Sequence, residues 1–285
     1  MKDKKLILVT GGAGFIGSHL CARLVKDGHR VISLDNYFTG SKENHISGVE
    51  YREGHTKDIE KNIPEMPDLI YHLGEYARVE QSLEEPALVW DLNVAGTFNV
   101  LEFWRAKKCK LVYAGSSTKF GDGGLARVAT PYAWTKAANT ELVKNYAEWY
   151  KLSYAITYFY NVYGPGERAG KYGTVVEIFR QKMKKGESLT IEEPGTQERN
   201  FTHVDDIIDG LILVGEKGEG EEFGLGCPDT YSILELAKMF GGQIKMIPSR
   251  RGNRMDSVLD MTKSRAIGWE PHRKLIDYIR EVKKQ

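Results

Sequence analysis

The sequence predicts a doubly wound α/β fold: a parallel sheet with helices on both faces, carrying a smaller α/β lobe. Two patterns and one turn predict it. Short apolar runs alternate with longer helical patterns through the first half of the chain, and strand, helix, strand at this spacing gives parallel pairing. The first run, Leu6-Ile-Leu-Val-Thr10, is apolar throughout, as in a strand covered on both faces. The first run meets the first helix through a turn that holds four glycines.

The elements follow in order. Leu6–Thr10 is the first strand, and a helix runs over 15–27 with Gly28 as its stop. Strands follow at 31–35, 49–51 and 69–73. Pro86 opens a helix reaching about Ala106, in keeping with proline's place in the first helical turn. That helix is apolar around most of its circumference, so it is expected to be covered twice, by the sheet and by a second subunit. Residues 110–114 form a strand, 132–150 a helix and Tyr154–Phe159 a strand. After Gly164-Pro165 the pattern loosens into a helix over 174–185, a strand end and helix within 201–216, and a last helix near 275–284. Residues 1–162 are expected to carry the large sheet and 163–285 mainly the smaller lobe, the chain returning to the first half near 199–216.

The 285 residues carry 40 Lys+Arg against 39 Asp+Glu, a formal net charge of +1. That balance argues against nucleic acid or an anionic membrane surface as partner, since each calls for a basic excess. Hydrophobic residues make up 41% of the chain, enough for a sizeable core, so disorder is excluded for the whole. No apolar run approaches the length of about 18 residues that a membrane-crossing helix requires. Met1-Lys-Asp-Lys-Lys5 leads into only five strand-like residues, too few for a signal-peptide core. Cys21, Cys109 and Cys227 are odd in number and far apart, and the seven histidines show no ligand spacing. The expectation is a cytoplasmic protein without disulfides or metal.

Between the first strand and first helix stands Thr10-Gly-Gly-Ala-Gly-Phe-Ile-Gly17. Gly12, Gly14 and Gly17 satisfy one dinucleotide fingerprint; Thr10, Gly11, Gly14 and Gly17 satisfy a second. Glycine permits the tight turn and lets backbone approach a pyrophosphate, which the helix N-terminus then attracts. Asp35 ends the second strand, where a carboxylate accepts from ribose hydroxyls and repels a 2′-phosphate, so NAD is expected. Arg52 on the third strand leaves NADP open.

Tyr132 and Lys136 stand one helical turn apart on one face. A tyrosine is a poor base, and a neighbouring ammonium favours its phenolate. Ala114-Gly-Ser-Ser-Thr-Lys-Phe-Gly121 follows a parallel strand, so its residues emerge at the carboxyl edge of the sheet, where open α/β folds bind ligands.

With these motifs the chain resembles the extended short-chain dehydrogenase/reductases, in particular the NAD-dependent nucleotide-sugar epimerases and dehydratases. The likeness covers nearly the full length. It extends through His72-Leu73, Asn93-Val-Ala-Gly-Thr97, Asn161-Val-Tyr-Gly-Pro165, Gln197-Glu-Arg-Asn-Phe201 and Gly268-Trp-Glu-Pro271. The resemblance implies a Rossmann fold and a nucleotide-diphosphate sugar as substrate, while the doubly apolar helix 86–106 and its partner 132–150 predict a homodimer. It implies that Tyr132 takes a proton from a sugar hydroxyl, that Lys136 holds the nicotinamide ribose, and that Ser116 completes the catalytic set. Gly11, Gly14, Phe15, Ile16, Gly17, Asp35, Asn36, Leu73 and Asn93 then belong to the cofactor, with Tyr132 and Lys136. Ser82, Ser117, Thr118, Asn161, Arg199 and Arg250 fall to the substrate, the two arginines suiting a diphosphate because their planar fork is always charged.

Departures from the family pattern bear on the reaction. The Asp-Glu pair that serves dehydratases is replaced by Ser117 and Thr118, which disfavours dehydration. Lys119 enters the same loop and reaches substrate or solvent. Glu75 stands where a small residue is common, as a base or sugar ligand. The leading expectation is a nucleotide-sugar 4-epimerase, which oxidises C4 transiently and returns the hydride to the other face. A dehydratase, decarboxylase or 4-dehydrogenase built on the same residues is the alternative, and a non-catalytic dinucleotide-binding protein the reading from another class.

Overall fold

The structure, a computed structural model, describes residues 4–249, 255 and 258–284. Seven parallel strands form the central sheet: β1 (Leu6–Thr10), β2 (Arg30–Asp35), β3 (Val49–Glu53), β4 (Leu69–His72), β5 (Lys110–Ser116), β6 (Tyr154–Phe159) and β7 (Gly220–Leu225). Their order is β7-β6-β5-β4-β1-β2-β3. Neighbours β1 and β4 both leave the sheet at its carboxyl edge, with Thr10 paired to His72, while His72 pairs with Tyr113 of β5. The sheet therefore delivers Thr10, His72 and the β5 end to one place, the switch point where the chain reverses its direction across the sheet.

Alternation along each strand divides the core. Ile7 and Val9 face helices α1 (Phe15–Lys26) and, later in the chain, Val204–Lys217. Leu8, Ile32, Ile70 and Leu111 face α2 (Gly96–Lys107) and α3 (Pro131–Tyr150) on the other side. Both faces are apolar at the centre of the sheet, which is why β1 reads as an unbroken hydrophobic run. Strand β7 is not among those the sequence pattern predicts. Its sequence, Gly-Glu-Glu-Phe-Gly-Leu, is half polar, and it pairs only with β6 at the sheet edge.

The smaller lobe has its own core around Phe179, Phe201, Leu236, Phe240 and Tyr278. Helices α4 (Val175–Lys185), α6 (Ile233–Phe240) and α7 (Leu275–Val282) pack there beside short two-stranded ladders, with α5 (Val204–Lys217) between them in the chain. Of these, α5 packs on the central sheet and leads into β7.

The helical run expected from Pro86 is continuous but not uniform. Pro86–Val89 is α-helical, Trp90–Ala95 is a π-turn, and α2 completes it. Its inner residues Leu92, Asn93, Thr97, Val100 and Leu101 are buried, whereas Trp90 and Phe98 are about half exposed. Trp90 stacks on Trp134 of α3 with centroids 6.0 Å apart. Together with the exposed Trp149 and Tyr150, these rings make an apolar outer face on the paired helices. Among the described residues no helix is long and apolar enough to cross a membrane.

Candidate active site

The glycine-rich turn is shaped for close approach. Gly11 has φ +75°, and a Cβ there would stand 2.9 Å from Gly74 backbone; one on Gly17 would stand 2.1 Å from the Gly11 carbonyl oxygen. Gly14 caps α1 without a side-chain bond, so the first-turn amides face outward, ready for a phosphate. The buried Asp35 carboxylate accepts from Ala13 N at 2.9 Å and Tyr37 N at 2.8 Å. Burial raises its pKa and the two amide bonds work against that rise. The turn, helix terminus and strand-end acid form one cradle that fits a dinucleotide. Arg52 is engaged elsewhere, with Glu65 at 2.6 Å and 2.8 Å. Asn36 is exposed beside the cradle, its Oδ1 accepting from Phe38 N.

Between the lobes lies a cleft of about 960 Å³ lined by Phe15, Ile16, Ser116, Ser117, Thr118, Tyr132, Asn161 and Arg199. Proline at N1 and the Thr130 hydroxyl, which accepts from Ala133 N, start α3 at this edge and aim its first turn into the cleft. Tyr132 Oη donates to Ser116 Oγ at 3.1 Å, and Ser116 Oγ lies 2.9 Å from Thr118 Oγ1. Asn161, held at φ 36°, donates to the Asn200 carbonyl at 2.8 Å. Leu73 is partly buried against the core beneath the turn. Arg250 lies outside the described residues.

Three expectations need correction. Ser82 is fully buried and its hydroxyl donates to the Val79 carbonyl; it braces a 3₁₀ turn and does not line the cleft. Glu75 turns inward, away from the rim. Its carboxylate pairs with Lys136, and Oε1 also accepts from Thr97 Oγ1 at 2.8 Å, Asn139 Nδ2 at 2.9 Å and Tyr113 Oη at 3.1 Å. Burial opposes its ionisation, but the Lys136 ammonium and these donors outweigh it and hold the carboxyl below its usual range. Lys136 donates to the Ala114 carbonyl as well. Lys119 reaches neither substrate nor open solvent, pairing with Glu221 at 3.2 Å and Tyr158 Oη at 3.3 Å.

Asn93 locks the site from below. It accepts from Tyr76 N at 2.6 Å and donates to Thr135 Oγ1 at 3.0 Å, while its backbone carbonyl accepts from Asn139 at 2.9 Å. His72 is buried, with Nδ1 2.7 Å from Thr10 Oγ1 and Nε2 2.9 Å from Thr97 Oγ1. Burial takes its pKa down to about 4, so it is a neutral packing residue.

Sequence reasoning missed Arg78. It lines the cleft, its guanidinium donating to the carbonyls of Tyr172 and Ala77. Burial lowers its pKa against the pull of Glu167. The available signal was a lone cation six residues past His72, in a loop leaving the carboxyl edge. Glu167 faces it from the smaller lobe, its carboxyl raised by burial to about 7.

Residues 7–226 match the family model of the NAD-dependent epimerase/dehydratase family. The chain belongs to that family. Its members here are nucleotide-sugar epimerases, dehydratases and decarboxylases, and NAD is its cofactor. A provisionally named UDP-glucose 4-epimerase of Methanocaldococcus jannaschii is 32% identical over 97% of both chains. UDP-glucuronic acid decarboxylase 1 of Xenopus tropicalis is 30% identical over 95% of this chain and 69% of its own. The crystal structure of the Thermus thermophilus UDP-glucose 4-epimerase in complex with NAD superposes with a TM-score of 0.89 at 29% identity, covering 96% of each chain.

Proposed function

We propose that this family member is a nucleotide-sugar 4-epimerase. The observation that carries the reading is the loop leaving β5. Opposite Tyr132 it presents Ser116, Ser117 and Thr118, hydroxyls only, with no carboxylate to remove or return water across a carbon–carbon bond. One proton-transfer centre suffices for epimerisation, because the proton taken in the first half is the one returned in the second. Bound NAD supplies the hydride acceptor and, on return, the donor.

Tyr132 Oη takes the proton of the sugar hydroxyl, and Ser116 Oγ, 3.1 Å away, shares and orients that hydrogen bond. The Lys136 ammonium, one helical turn along α3, would hold the nicotinamide ribose. Asn161 and Arg199, across the cleft, hold the diphosphate so that the sugar alone is free to turn. A second copy of the chain covers the outer faces of α2 and α3, whose exposed Trp90, Phe98, Trp134 and Trp149 support a homodimer. Three free cysteines fit a reducing, cytoplasmic setting.

Decarboxylation is the second reading, supported by the 30% identity to the Xenopus decarboxylase. The test is incubation with UDP-, GDP-, dTDP- and CDP-sugars, including uronates, with products identified by NMR. The 4-epimer alone, with no net change in cofactor absorbance, is expected. A stable keto sugar or lost carbon dioxide refutes the epimerase.

A further inference from the structure

The buried carboxylate of Glu75 is the unexplained charge of this site. It is absent from the cleft lining, its side chain is 4% exposed, and four donors converge on it. Only one of these, Lys136, is a cation.

The hydrogens around it have a forced direction. An ionised carboxylate accepts only, so Thr97 Oγ1 donates to Glu75 and must use a lone pair toward His72. His72 therefore carries its hydrogen on Nε2. Its Nδ1 accepts from Thr10 Oγ1, which in turn accepts from Gly74 N at 3.0 Å. The chain Gly74, Thr10, His72, Thr97, Glu75, Lys136 thus runs without a break from the first residue of the dinucleotide turn to the lysine.

We propose that Glu75 is a positioning residue: it fixes the Lys136 ammonium in place and in charge, and anchors it to the dinucleotide turn. It touches neither ligand itself. The groups facing it are Lys136 from α3, Tyr113 from β5 and, through Thr97, His72 from β4; Asn139 and Thr97 are its neutral partners. The Lys136 ammonium also lies 4.4 Å from the centre of the Tyr113 ring. Burial and the Glu75 carboxylate push the Tyr113 phenol well above its ordinary range, and burial holds His72 neutral, so neither supplies the compensating charge. Without Glu75, Lys136 would keep one carbonyl and no counter-ion, and an ammonium buried without one gives up its proton more readily. That moves the upper end of the working pH window toward acid.

The inference rests on the roles given above to Tyr132 and Lys136, and its test separates the two. Glu75→Gln and Glu75→Asp are compared with the wild type in two measurements. The first is the pH profile of kcat/KM; the second is NAD affinity from pH 6 to 9, read by tryptophan fluorescence without any sugar present. In Glu75→Gln the upper end of the profile is expected to move to lower pH by about one unit, the scale on which a single adjacent charge acts. Its NAD affinity should fall as pH rises, while the wild type stays level. Glu75→Asp keeps the charge one methylene shorter. It should lose kcat, keep the wild-type pH window and keep level NAD binding. A profile and an NAD titration in Glu75→Gln that parallel the wild type overturn the proposal, whatever the loss in rate. So does an acid shift in Glu75→Asp as large as that in Glu75→Gln. A wild type inert toward every nucleotide sugar refutes the roles of Tyr132 and Lys136, and the NAD titration then still decides on Glu75.

Discussion

Thr97 is the joint at which the relay meets the Glu75 cluster, and replacing it with valine tests whether the relay is intact. The substitution keeps shape and removes one hydroxyl from a fully buried site. Two bonds go with it, Thr97 to Glu75 at 2.8 Å and His72 to Thr97 at 2.9 Å. The His72 N–H is left facing a methyl group, which costs about 1–3 kcal/mol for an unsatisfied buried donor. Glu75 keeps Lys136, Asn139 and Tyr113, so it loses one bond to a charged acceptor, worth about 1.5–3 kcal/mol. Together they come to about 2.5–6 kcal/mol, a large part of the stability of about 5–15 kcal/mol usual for a domain. Thr97→Ser keeps the hydroxyl and loses a methyl, at about 1 kcal/mol. Equilibrium urea denaturation followed by circular dichroism measures both. A Thr97→Val protein within about 0.5 kcal/mol of the wild type, the scatter of ordinary surface changes, refutes the reasoning. So does a Thr97→Ser protein as unstable as the valine variant.

Other outcomes follow from the same geometry. Tyr132→Phe should lower kcat by about 10²–10⁴, the usual share of a proton-transfer group. It should barely change the melting temperature, because Ser116 keeps Thr118 as a partner 2.9 Å away; steady-state kinetics and a thermal melt check both. Trp134→Glu should shift the protein from dimer to monomer in light scattering at micromolar concentration, since that ring is 46% exposed and stacked on Trp90. His72 titrates near pH 4 in the folded chain against about 6.5 when free. Below pH 6.5 the unfolded chain takes a proton that the folded one refuses. Stability should therefore fall as pH drops from about 6.5 to about 4, by on the order of 3 kcal/mol. His72→Asn should flatten that slope in urea titrations at stepped pH.

Much of the first half was legible in the sequence because its signals are local. Six strands of the sheet fall where apolar runs predict them, and Leu6–Thr10 and Tyr154–Phe159 agree to the residue. The glycine turn announces itself through spacing alone, and Tyr132 and Lys136 through one helical turn. The seventh strand was illegible for a physical reason. At a sheet edge, covered less than the centre, Gly220–Leu225 needs little apolar character, and its partner β6 lies far earlier in the chain. Glu75 shows the other kind of failure. An ionisable residue near a ligand edge reads as a functional group facing the ligand, and sequence carries no sign of which way the side chain turns. Its partners come from β5, α2 and α3, and only the sheet order brings them together. Arg78 and Glu167, which face each other between the lobes, escaped for the same reason.

The π-turn at Trp90–Ala95 gives its helix one residue more than a regular α-helix would hold over the same length. That surplus sets the phase between the two ends of the helix. Trp90 looks outward to Trp134 while Asn93, three residues on, is buried beneath the cleft, donating to Thr135 Oγ1 and taking the Asn139 amide on its carbonyl. Deleting one residue there would let the helix close into a uniform spiral and swing Pro86 to Trp90 by about 100° relative to α2. The outward tryptophan and the inward asparagine would then no longer be available to the same helix. A change in residue count, with no change in residue chemistry, would disconnect the surface of the molecule from its catalytic centre.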